Sequence, residues 1–127
     1  MLTGNASVDG ASHRGWFIGH FPANTCGLRA TRLVVVKWGV CSAGEERSSW
    51  GTSGWATTLC ILLKGRMQIS FPQEAHFLAH EGNYLLWPGG LPHHWKALAA
   101  SCAHGQVAFR PRGGTDPRTW PCDTIER

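Results

Sequence analysis

The sequence predicts an all-β domain, a barrel or sandwich of about 8–11 short strands with almost no helix. Three observations carry that expectation. Residues 66–71 alternate strictly, with Met67, Ile69 and Phe71 on one parity and Arg66, Gln68 and Ser70 on the other. That is the period of a strand buried on one face. Sixteen glycines and seven prolines punctuate the chain, a density of turn formers that many short strands need. No stretch shows helical periodicity beyond about two turns.

Each element follows in order. Residues 1–14 are polar and rich in Gly, Ser and Ala, and read as a mobile arm ahead of a domain at 15–111. Trp16 to Phe21 is an aromatic strand candidate, followed by a loop from Pro22 to Arg29 with Asn24 and Gly27 as turn residues. Thr31 to Val40 is β-branched and poor in helix formers, so it reads as strand. A loop from Ser42 to Gly54 holds Glu45, Glu46, Arg47 and Trp50. Ala56 to Leu63 is a further strand closed by Lys64 and Gly65, and the alternating strand at 66–71 follows. Ala75 to Ala79 returns from a Pro72 turn, Tyr84 to Trp87 is a short apolar strand, and Gln106 to Arg110 is the last. Residues 112–127 mix Pro, Gly and both charge signs, and read as a loose tail.

Composition narrows the function classes. At 127 residues, 43% hydrophobic and only 16% charged, the chain suits one domain with an ordered core. The net charge of +4 comes from Lys and Arg scattered between Arg14 and Arg127, without the basic and aromatic interleaving of a nucleic-acid platform, so no nucleic-acid partner is expected. The longest apolar run, Leu59 to Leu63, is too short for a membrane span. Five cysteines without a CxxC pair, and residues 1–15 without a secretory apolar run, set the expectation of a reduced, cytoplasmic protein.

The chemistry-bearing stretch runs from Gly82 to His93 and has the form G-x5-P-x-G-x2-H, with Gly82, Pro88, Gly90 and His93 in register. Pro88 presets its own φ and Gly90 tolerates a positive one, so the chain reverses and returns a histidine toward the strand before it. This spacing resembles the second signature motif of the cupin superfamily, whose members fold as small jelly-roll β-barrels. The first cupin motif, G-x5-H-x-H-x3,4-E-x6-G, survives as a glycine skeleton from Gly44 to Gly65. Its two histidine positions are Trp50 and Thr52, and its glutamate position is Thr58. The distal asparagine of the second motif is Ala97. The wording around Lys37-Trp38-Gly39-Val40 and Leu86-Trp87-Pro88 also looks like a group of small stand-alone bacterial cupins.

The resemblance implies a site and a departure from it. Cupin enzymes typically hold Fe, Mn, Ni or Zn with three histidines and one glutamate, and only His93 of those four positions is a good ligand here. No cofactor is therefore expected. A divalent metal stays open as an alternative, held by His93 with Cys60 and approached by Glu45 or Glu46. If Thr58 and His93 point inward, alternation sends Cys60, Leu62 and Trp95 inward too, while Trp50 and Thr52 come from the mouth loop. Arg47 is either one partner in a solvated turn or a cap pairing with a substrate carboxylate.

Three function classes stay open on these residues. The first is a small-molecule-binding cupin with an apolar, aromatic pocket. The second is an enzyme, an isomerase, cyclase, lyase or dioxygenase-like protein in which His93 moves protons or joins a non-standard metal site. The third is a structural module whose barrel fills itself. A homodimer is expected, both from the resemblance and from the open edges of the first strand candidates.

Overall fold

The computed structural model describes residues 1–21, 27–52, 54, 56–99 and 101–110. Its eight strands are β1 (Trp16–Ile18), β2 (Val34–Ser42), β3 (Thr57–Lys64), β4 (Met67–Phe71), β5 (Glu74–Leu78), β6 (Tyr84–Trp87), β7 (His94–Ala97) and β8 (Ser101–Phe109). They form two antiparallel sheets, one of five strands in the order β1-β2-β8-β3-β6 and one of three in the order β5-β4-β7. The all-β expectation holds, and the alternating segment at 66–71 buries Met67 and Ile69.

The core lies between the sheets. Leu62 of β3, Met67 and Ile69 of β4, and Trp87 of β6 are all buried there, with Cys60 and Cys102 filling small gaps. Burying each large apolar side chain contributes roughly 1.5–3 kcal/mol. A second cluster, Trp16, Val35, Ala56 and Ala108 with Phe21, closes the other end. The segment after β2 is more than a loop. Arg47 donates its N–H to the Trp95 carbonyl at 3.0 Å, and Gly51 and His93 exchange backbone hydrogen bonds at 3.0 and 2.8 Å. This ladder lays residues 44–51 along β7 as an extra, irregular strand.

Several expectations change. The segment expected as a mobile arm at 1–14 contains a helical turn, α1 (Ala6–Asp9), and a 3₁₀ turn at Ala11–His13. The Asn5 side chain caps α1 by accepting the N–H groups of Ser7 and Val8, and Asp9 pairs with Arg29 at 3.3 Å. The last strand starts at Ser101, five residues earlier than its apolar residues suggest, because it is the central strand paired to both β2 and β3. Nor is β2 free to pair edge to edge with a second chain: β1 and β8 occupy its two edges. The expected tail at 112–127 lies outside the described residues.

Candidate functional site

The walls of the candidate site are built by pairing across the five-stranded sheet. Lys37 of β2 pairs with Gln106 of β8, which pairs in turn with Cys60 of β3. One step along, Gly39 pairs with His104, and His104 with Leu62. Lys37 sits on the parity of Val35 and Cys41, so its side chain is carried inside and is only 8% exposed. Its ammonium lies over the Trp16 ring, 5.5 Å from the centroid, an arrangement that offsets part of its desolvation.

Trp87, from the edge strand β6 of the same sheet, and His93 and Trp95, from the lead-in to β7 of the other sheet and from β7 itself, supply further walls. His93 follows the Pro88–Gly90 turn, where Gly90 takes a φ of +83° that an L side chain disfavours. It is 7% exposed. Its Nδ1 lies 3.1 Å from the Leu91 carbonyl. A carbonyl only accepts, so Nδ1 carries the hydrogen and Nε2 the lone pair in the neutral ring. Burial holds the His93 pKa below its ordinary value, and the Arg47 charge acts in the same direction. Burial, with Lys37 adding to it, pushes His104 down to about 4. Both imidazoles are therefore neutral at neutral pH.

Together these residues enclose a cavity of about 20 Å³. Arg47, Thr52, Met67 and Ile69 complete its lining. That volume holds about one water molecule, so the barrel is nearly filled by its own side chains. Lys37, Trp95 and His104 are also walls of an outer cleft of about 290 Å³, bordered by Gly39, Cys41 and Glu45. These three side chains thus stand between the inner cavity and the cleft. The Trp95 and His104 rings lie 6.4 Å apart, and those of Trp87 and His93 5.0 Å apart.

The residues anticipated from the sequence divide into two groups. His93, Cys60, Trp95, Thr52 and Arg47 are brought together around the cavity. Arg47 reaches it because Gly51 has no side chain: a Cβ there would collide with the guanidinium. Trp50 goes elsewhere. It is 51% exposed and packs edge-on against His94, with centroids 4.5 Å apart. Thr58 is fully buried beside Trp87, its cross-strand partner, its hydroxyl without a hydrogen-bond partner among the described residues, and is not among the residues lining the cavity. Lys37, Met67, Ile69, Trp87, His104 and Gln106 also line it and were not anticipated as site residues. The available signal was a polar residue on the parity of Val35 and Cys41.

These residues do not fit the cupin metal set. The Thr52 hydroxyl accepts the Gly54 N–H at 2.9 Å, and the Trp50 indole has no lone pair to give a metal. The Cys60 thiol donates to the Met67 sulfur at 3.9 Å, and burial pushes it up to about 12, far from the thiolate a metal needs. Among the described residues, no group of three or more His, Cys, Asp or Glu is placed to hold a metal ion.

Solved structures supply the comparison. A cupin protein from Bacteroides fragilis superposes with a TM-score of 0.58 at 14% identity, covering 66% of this chain and 71% of the other. A conserved protein with a double-stranded β-helix domain from Klebsiella pneumoniae gives 0.57 at 14%, covering 66% and 73%. A protein containing a cupin-2 domain from Shewanella frigidimarina gives 0.53 at 20%, covering 63% and 74%. No protein-family model matches the chain, and no curated protein does. The chain has the cupin fold. The identities are low enough that the likeness carries the fold alone. Among the described residues no helix is long and apolar enough to cross a membrane.

Proposed function

We propose that this protein is a small-molecule-binding cupin that works without a resident metal, its ligand entering the barrel past Lys37, Trp95 and His104. The observation that carries this reading is a pair of unpaired, buried polar atoms on residues that line the cavity. Trp87 Nε1 and His104 Nδ1 have no hydrogen-bond partner among the described residues. A buried polar group left unpaired costs about 1–3 kcal/mol, and a ligand that pairs with it recovers that cost. A cavity this small takes one polar group of a ligand, and the adjoining cleft accommodates the body.

A second reading rests on His93. Its Nδ1–H is engaged by Leu91, and its neutral Nε2 is disposed to accept a proton, so metal-independent acid–base catalysis on a bound molecule suits the same geometry.

Elemental analysis of the purified protein and quenching of tryptophan emission by a metabolite library test the binding reading. The expected result is no stoichiometric metal together with a ligand-dependent change in emission. Metal above half occupancy, or no response to any compound, overturns it. His93→Gln separates a functional from a structural histidine. Stability should stay within about 1 kcal/mol while affinity or turnover falls about ten-fold or more. A large drop in Tm with unchanged affinity would make His93 structural.

A further inference from the structure

Two cations converge on the inner cavity. Lys37 enters from β2 and Arg47 from the segment laid along β7, and both line the same 20 Å³ space. No acidic side chain lines that space among the described residues. Glu45 borders the outer cleft, and its carboxylate accepts the Ser42 N–H at 2.8 Å. The cavity wall also includes Trp87, 4% exposed, whose indole N–H can only donate and has no acceptor among the described residues. The chemistry of the lining is thus two positive charges and an orphaned donor around room for about one small polar group.

We propose that the inner cavity is a carboxylate site: the ligand of this cupin is a small organic monocarboxylate whose head group sits between Lys37 and Arg47 and accepts the Trp87 indole N–H. The proposal rests on the binding reading above and names its ligand class. Arg offers a planar fork that matches a carboxylate, and Lys adds a compact charge. Size ranks the head groups: with room for about one water molecule, a carboxylate requires less opening of the lining than a phosphate with its four oxygens. The organic body lies outward in the 290 Å³ cleft, reached when the Lys37, Trp95 and His104 side chains that separate cleft from cavity shift aside.

Calorimetric titration with cyclohexanecarboxylate and its neutral isostere cyclohexanecarboxamide tests this, with the indole N–H resonances followed by NMR. The carboxylate should bind at least ten-fold more tightly than the amide and shift the Trp87 signal. Lys37→Met and Arg47→Gln should each weaken the carboxylate at least ten-fold and leave the amide within about two-fold. Lys37→Arg, which keeps the charge, should retain most of the affinity and covers the case in which Lys37→Met does not fold. Equal binding of acid and amide, with both shifting Trp87, overturns the carboxylate assignment and leaves the pocket reading standing. Effective competition by equimolar inorganic phosphate marks a generic anion site and also overturns it. Binding of no carboxylate, neither the probe nor any in the library, overturns the carboxylate assignment, and no response to any compound overturns both.

Discussion

His104 is held in surroundings that its charged form avoids. It is 2% exposed on the central strand, and burial followed by the Lys37 charge lowers its pKa from 6.5 to about 4. A group whose charged form is disfavoured in the fold binds fewer protons folded than unfolded between those two values. The stability it contributes is present above pH 6.5 and is lost as the pH falls toward 4. The loss at the lower end amounts to about 3 kcal/mol. Urea melts between pH 7 and pH 4.5 should show this decline, and His104→Gln should flatten it relative to the wild type. An unchanged slope in the variant would mean that the imidazole is not held neutral. His93 acts in the same sense, with burial as its main cause, and its Nδ1–H bond to Leu91 opposes the shift. Of the two histidines, only His93 was marked in the sequence, through the Pro88 and Gly90 spacing. His104 carries no such mark, because a histidine between Ala103 and Gly105 has no local pattern that tells inside from outside.

The element that decides the site is β2. Both of its parities are apolar: Val34, Val36, Trp38 and Val40 alternate with Val35, Gly39 and Cys41. Strand existence is legible in such a segment because β-branched residues favour it, but facing is not. Lys37 would ordinarily be assigned to solvent on charge alone. It is inside because its parity is shared with Val35, Gly39 and Cys41, and because Gly39 leaves room for the His104 ring opposite. A Cβ at Gly39 would run into that imidazole, so Gly39→Ala should destabilise the domain by about 1–3 kcal/mol. Pairing it with His104→Ala should recover part of the loss, since the two positions share one space. Additive losses in chemical-denaturation experiments would show that the two residues are not coupled.

At the scale of the whole molecule, the outer face of the five-stranded sheet stands out. Val36, Trp38, Leu59, Ile61, Val107 and Leu86 lie on the parity opposite the buried residues and are half-buried or exposed. Leu86 and Tyr84 on the edge strand β6 are 53% and 64% exposed. Monomeric soluble proteins rarely present a continuous apolar face of this kind. We propose that a second copy of the chain covers it, face to face. Light scattering at micromolar concentration should give a dimer mass, and Leu86→Lys should shift the equilibrium toward monomer. A monomer mass for the wild type would count against this assembly.

What the sequence determined by itself was local. Residues within a strand or turn constrain one another through sterics and hydrogen bonding over a few positions. The alternation at Met67–Phe71, the strand Tyr84–Trp87 and the turn that aims His93 were therefore all readable, as was the cupin spacing built on them. The resemblance built on that spacing put Trp50, Thr52 and Thr58 at ligand positions, whereas in the fold Trp50 packs half exposed against His94 and Thr58 does not line the cavity. Only the tertiary structure decided what the interior contains. Lys37, Gln106 and Cys60 meet because β8 is inserted between β2 and β3, and Arg47 joins them because its segment runs along β7. Such pairings link residues far apart in the chain, and no short-range pattern carries them. The size of the cavity was likewise beyond the sequence, because it is the small difference between the volume the two sheets enclose and the volume their side chains fill.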